Sequence, residues 1–182
     1  MKILALLASG FEDLEAFGTI ALLRRAEIEV DICSVENKTQ MISKYGVRVE
    51  ADVLINQICS PDYDVLFLPG GNPGVENLFE VEKVKLLVEY FMKSDKIVAC
   101  ICAAPSILGR LGLLGDKIYT CFPGYEKLCV NGNYQDASVQ VDGNLITGRA
   151  VGNIFEFTQA LITKLKGKEF SQIIMDSIYF GK

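Results

Sequence analysis

The chain has 182 residues, 50% of them hydrophobic and 23% charged, with 16 glycines and 5 prolines, the balance of an ordinary globular domain and not of a disordered or fibrous chain. Eighteen Lys and Arg against 23 Asp and Glu leave a formal net charge of -5 with no basic run, which speaks against a nucleic-acid partner. No apolar stretch reaches the roughly 18 residues that span a bilayer, and the absence of any histidine excludes Ser-His-Asp and Cys-His catalytic groups and histidine-ligated zinc.

A chain of this size buries enough surface to fold as one domain, 1–182, without a disulfide or metal staple. Its first segment, 2–8, is a short apolar run followed at once by Glu12, Asp13 and Glu15, which reads as a buried strand and not as a signal peptide. Residues 12–26 carry Leu14, Phe17, Leu22 and Leu23 near helical spacing, and 30–35 is a second apolar run, so the three segments make one βαβ unit. Residues 40–54 alternate loosely and predict a small extended flank. The runs 64–69 and 97–102 are again near-continuous, the mark of strands buried on both faces in a parallel sheet, and the helical spacing of Val84, Leu87, Val88 and Phe91 places a helix over 81–92 between them. Asp142-Gly143 between two apolar segments predicts a hairpin over 138–147. A helix over 153–165 stops at Lys164, Lys166 and Gly167, and 169–180 forms a last one. The expected fold class is α/β, a mostly parallel central sheet with helices on both faces.

In such sheets ligands bind beyond the carboxyl ends of the strands, so the residues that follow each run carry the functional reading. Cys102 ends the fourth run, and Pro105 suits the first turn of a helix, which puts Cys102 on a sharp strand-to-helix turn. A thiol there would feel the positive end of the helix dipole, favouring thiolate; a buried small hydrophobe fits the same local sequence. Gly70-Gly71 could offer unhindered N–H groups to an oxyanion together with Ala103, or be a plain tight turn. Glu12 and Asp13 read as structural carboxylates at a helix start. Glu15, one turn further in, could face the strand ends and meet Cys102, where a carboxyl beside a thiolate would have its pKa raised. Of the six cysteines, no pair forms the C-x-x-C of a zinc site, so no metal is expected, and free thiols fit a reducing cytoplasm.

The segments ASGFEDLE at 8–15, YDVLFLPGGNPGVENL at 63–78, IVACICAAPSILGRLGLLGDK at 97–117, TCFPGYE at 120–126 and ITGRAVGNIFEFTQAL at 146–161 make the chain similar, over nearly its full length, to the ThiJ/PfpI superfamily. It most resembles the branch with the Parkinsonism-associated protein deglycase and bacterial ThiJ-like proteins. The resemblance implies a flavodoxin-like α/β sandwich, commonly a homodimer, with no cofactor. It assigns Cys102 as the reactive cysteine, Glu15 as the buried acid that hydrogen-bonds it, and Gly71 and Ala103 as backbone donors. It sets Arg24, Arg25 and Arg149 in the pocket and dimer region, each equally suited to a surface ion pair. Family activities include glyoxalase and deglycase action on glyoxal, methylglyoxal or their glycated adducts, redox sensing or chaperone work, and proteolysis. The protease members' histidine after the cysteine is Ala103 here, which disfavours proteolysis; a thiamine-pathway role has no phosphate-binding feature behind it. The deglycase branch's histidine stands at the position of Cys121, which would either resolve an oxidised Cys102 into a disulfide or serve as a small filler.

Overall fold

The computed structural model describes residues 1–94 and 96–181. In chain order the elements are β1 (Lys2–Leu7), α1 (Asp13–Arg25), β2 (Glu29–Ser34), β3 (Gln40–Ile42), β4 (Arg48–Glu50), β5 (Val53–Leu54), β6 (Val65–Leu68), α2 (Gly74–Glu80), α3 (Glu82–Lys93) and β7 (Ile97–Ile101). They continue as α4 (Pro105–Arg110), β8 (Ile118–Tyr119), β9 (Asn133–Tyr134), β10 (Val139–Asp142), β11 (Leu145–Gly148), α5 (Ile154–Lys166) and α6 (Lys168–Ser177). The main sheet has the order β10-β11-β7-β6-β1-β2-β5, parallel throughout except for β10, which pairs antiparallel with β11.

The apolar runs fill both faces of this sheet. On β1, Leu4 and Leu6 pack with Val84, Val88 and Phe91 of α3 and Ile107 of α4, whereas Ile3, Ala5 and Leu7 pack with Leu23 of α1 and Phe157 and Leu161 of α5. Strand alternation alone explains the split, since successive side chains point to opposite faces. Phe91 and Phe157 are fully buried, and truncating either to alanine would cost roughly 3–5 kcal/mol in lost burial and cavity.

Strand order reverses at β1, which has β2 on one side and β6 on the other, so the carboxyl ends of β1 and β6 form the switch point at which open sheets bind ligands. Three differences from expectation stand out. The segment after Gly71 forms a further helix, α2, which lacks the apolar repeat that marks α3. The 138–147 hairpin pairs Asp142 with Leu145, so its turn is Gly143-Asn144, with Gly143 at φ 62°, one residue later than the Asp-Gly reading. Residues 40–50 form a two-stranded antiparallel hairpin, β3–β4, that is not part of the main sheet. Among the described residues no helix is long and apolar enough to cross a membrane.

Candidate active site

Four chain segments meet at the strand ends. Cys102 follows β7 directly, with φ 64°, a left-handed conformation that costs a non-glycine residue on the order of 1 kcal/mol. The backbone on both sides holds it there. The Cys102 N–H donates to the carbonyl of Gly148 at 2.9 Å, and the Cys102 carbonyl accepts from the N–H of Phe122 at 2.7 Å. The outcome is a half-buried thiol in contact with the cores on both faces of the sheet.

Glu15 reaches this thiol from α1. Glu12 caps the helix, its Oε2 accepting from the Glu15 N–H at 2.7 Å, and the Glu12 N–H donates to the Gly70 carbonyl at 2.9 Å. The Gly70 N–H in turn donates to Glu15 Oε2 at 2.9 Å. A Cβ on Gly70 would lie 2.5 Å from Glu15 Oε2 and 2.6 Å from Cys102 Cβ, so glycine is what lets carboxyl and thiol close up. Gly71, at φ 99°, has no more room: a Cβ there would lie 2.4 Å from the Glu12 nitrogen. Asp13 accepts from Ser43 Oγ at 2.5 Å and from the Tyr45 N–H at 3.3 Å.

The electrostatics make one proton common to the pair. Burial raises Glu15 to about 7, against a lowering by its hydrogen bonds to Cys102 and Gly70. Burial, then the charge and hydrogen bond of Glu15, push the Cys102 thiol up, while the N–H groups of Ala103 and Gly71, both directed at its sulfur, pull it down. Burial beside an acid thus opposes whatever pull the N-terminus of the six-residue α4 has on the thiol. The charged Glu15 raises Cys102, so the pair gives up its second proton less readily than its first.

Cys102, Glu15, Gly70, Gly71 and Ala103 thus come together, as the sequence suggested. Cys121 is fully buried in a core cluster with Cys100, Cys129 packs on the same cluster, and burial pushes the Cys121 thiol up to about 12. Its surroundings are those of a core side chain. Arg24 and Arg25 lie at the other end of α1, about 13 Å of helix rise from Glu15. Arg24 binds the Val30 carbonyl at 2.8 Å and Asp52 at 3.1 Å, and Arg25 reaches Ser177 Oγ at 3.5 Å. Arg149 follows the carbonyl that receives the Cys102 N–H, but its guanidinium pairs with Asp136 at 2.6 Å.

Sequence reasoning missed the contributions of Gly148 and Phe122, and of Asn72, whose Nδ2 donates to Tyr125 Oη at 3.4 Å beside the site. Phe122 and Tyr125 pack edge to face at 6.3 Å. Their segment, TCFPGYE, and that of Gly148, ITGRAVGNIFEFTQAL, were among those carrying the resemblance, so a signal existed, though neither marks the backbone bonds to Cys102. Among the described residues no group of three or more Cys, Asp or Glu is arranged to hold a metal ion.

A strained cysteine elbow over a buried acid, at the switch point of this sheet, coincides with a match of residues 1–164 to the model of the DJ-1/PfpI family. The chain belongs to the DJ-1/PfpI family. It is 35% identical over 170 residues to Protein DJ-1 homolog B of Arabidopsis thaliana, covering 92% of this chain and 39% of that protein, so it spans about two fifths of that plant relative. A deglycase of Pyrococcus horikoshii is 32% identical over 168 residues, 91% of this chain and 100% of that one. A glutathione-independent glyoxalase of Caenorhabditis elegans is 25% identical over 172 residues, 94% and 91% of the two chains. Among solved structures, a mutant of a DJ-1 superfamily protein from Salmonella typhimurium superposes with a TM-score of 0.94 at 32% identity, covering 100% of this chain and 99% of that chain. The flavodoxin-like α/β architecture expected from the resemblance is the one this DJ-1/PfpI chain adopts.

Proposed function

We propose that this protein is a cysteine-dependent, cofactor-independent glyoxalase or deglycase acting on glyoxal, methylglyoxal or their adducts. The observation that carries the reading is the Glu15–Cys102 pair, in which an acid that titrates at about 7 sits hydrogen-bonded to a nucleophile. Relatives named deglycase and glyoxalase supply the substrate class.

Carboxylate Glu15 takes the S–H proton of Cys102 as sulfur adds to the aldehyde carbon. The carbonyl electron pair moves to oxygen, and the N–H groups of Gly71 and Ala103, which face the sulfur, would stabilise that oxyanion. Glu15 returns the proton to oxygen, completing a hemithioacetal. The same carboxylate then moves a proton from the aldehyde carbon to the adjacent carbonyl carbon through an enediol, leaving a thioester. Water hydrolyses it, so one methylglyoxal and one water become one lactate and the free thiol. With a glycated adduct, the Cys102 sulfur displaces the amine or thiol from the former aldehyde carbon, the leaving group takes up the thiol proton, and the same rearrangement and hydrolysis then give lactate.

The test is lactate formation from methylglyoxal by wild type and Cys102→Ser. Loss of turnover in the variant supports the reading, and equal rates overturn it.

A second reading, a redox sensor or chaperone that oxidises at Cys102, draws support from the absence of any histidine to assist turnover. Glu15→Gln separates the two: a sensor still oxidises under peroxide, whereas an enzyme loses turnover. We further propose that the protein works as a homodimer in a reducing cytoplasm, as a single domain over 1–182, with a small reactive aldehyde or glycated adduct as its ligand. Free thiols at all six cysteines support the compartment.

A further inference from the structure

The mechanism uses Glu15 but leaves unexplained why the β3–β4 hairpin, which is outside the main sheet, is tied so closely to the segment preceding it. The Gly10 N–H donates to the Ile42 carbonyl at 2.8 Å, and the Lys44 N–H donates to the Phe11 carbonyl at 2.8 Å. The Ile42 N–H donates to Ser9 Oγ at 3.3 Å. Ser43 Oγ donates to Asp13 Oδ1 at 2.5 Å and accepts from the Val47 N–H at 2.9 Å, while Asp13 Oδ2 accepts from the Tyr45 N–H at 3.3 Å. Ser43 is nearly fully buried, and Met41 beside it packs into the core with Phe11. These bonds converge on Ser9 to Asp13, the residues that set where α1 begins and therefore where Glu15 points.

We propose that Asp13 and Ser43 are positioning residues for the thiol chemistry: their side-chain bond clamps the first turn of α1 to the hairpin and so fixes the Glu15 carboxyl against Gly70 and the Cys102 sulfur. The inference rests on the reading of Glu15 as the proton carrier. A helix cap alone does not need this clamp, because Glu12 already satisfies the Glu15 N–H. The clamp supplies what a cap cannot, a lateral restraint on the turn, and a displacement of about 1 Å at a reacting group is enough to lose as much as 100-fold in rate. The charged groups facing the Glu15 carboxyl are Glu12 from its own turn, Lys44 from the hairpin and Cys102 from the elbow, so loosening the hairpin also moves Lys44.

The experiment measures the alkylation rate of Cys102 by iodoacetamide against pH, kcat and KM for methylglyoxal, and thermal stability, in Ser43→Ala, Ser43→Thr, Asp13→Ala and the double alanine variant. Glu15→Gln is the control. A positioning role predicts that each single alanine variant lowers kcat about tenfold with little change in KM. It also predicts that each shifts the alkylation midpoint from its wild-type position, because water reaches Glu15 and the carboxyl that faces the sulfur titrates differently. The double variant should be no worse than either single one, the signature of a shared bond, and Ser43→Thr, which keeps the hydroxyl, should behave as wild type. Folded alanine variants with a wild-type midpoint and kcat, even if their melting temperature falls, overturn the proposal. Should Asp13→Ala fail to fold, the Ser43 pair decides alone. If the wild-type midpoint survives in Glu15→Gln, the reading of Glu15 itself fails and takes the clamp with it; if it moves there but not in the Ser43 and Asp13 variants, only the clamp fails.

Discussion

Gly70 donates its N–H to Glu15 Oε2 at 2.9 Å while a Cβ in its place would lie 2.6 Å from Cys102, so one peptide unit both binds the acid and leaves room for the thiol. Gly70→Ala should therefore separate the pair. The Ile101 carbonyl, 3.0 Å from the added Cβ, is backbone and cannot give way. We expect a stability loss of about 1–3 kcal/mol from overpacking, with alkylation of Cys102 and methylglyoxal turnover both falling at least tenfold. Denaturant melts and timed alkylation measure the two effects separately.

Glu15 also writes itself into the pH dependence of stability. Its folded pKa, about 7, lies above the ordinary carboxylate value of 4.5, so between those values the folded state holds a proton that the unfolded chain has released. The sign follows directly: this group's contribution is at its most favourable below pH 4.5, is lost as pH rises to 7, and is flat beyond. The size is about 3 kcal/mol. Glu15→Gln should remove that slope, so that the stability difference between variant and wild type shifts in the variant's favour from pH 4.5 to 7.5 in urea titrations.

Cys121 tests the difference between a core thiol and a working one. It lies in the cluster with Cys100, fully buried and raised to about 12. Cys121→Ser would set a hydroxyl there and should cost about 1–3 kcal/mol, with kcat changed less than twofold at a temperature where the variant is folded. A loss of turnover in a stable variant would show that the thiol acts in the reaction.

Arg24 gives the opposite profile. Its guanidinium binds the Val30 carbonyl and Asp52 at a half-exposed position remote from Glu15. Arg24→Ala should cost no more than about 1 kcal/mol and leave kcat and KM for methylglyoxal as they are. Steady-state kinetics alongside a melt checks both.

The strands and the place of the site were legible because buried parallel strands leave near-continuous apolar runs and chemistry gathers where they end. β1, β6 and β7 each begin or stop within one or two residues of their runs, and Glu15, Gly70 and Cys102 follow from those ends. α2 was not legible, because seven residues after a proline carry too little apolar repeat to register. The offset of the hairpin to Gly143-Asn144 reflects pairing with β7 as well as β10, a tertiary demand that a local dipeptide rule does not contain. The environment of Cys102 was only half legible for a similar reason. Helix position is visible in sequence, whereas the desolvation that dominates it depends on everything packed around the sulfur. The resemblance set Arg24 and Arg25 in the pocket and dimer region without distinguishing the two, and within the chain the length of α1 separates them from Glu15.

The elbow at Cys102 is pinned by Gly148 on one side and Phe122 on the other, residues 46 and 20 positions further along the chain, while its acid comes from the first helix. The reactive centre is thus a sum of distant parts with no local home. It cannot outlive the cooperative unfolding of the sheet, nor be carried by any short excised peptide, and the thiol becomes an internal gauge of whether the entire molecule is assembled.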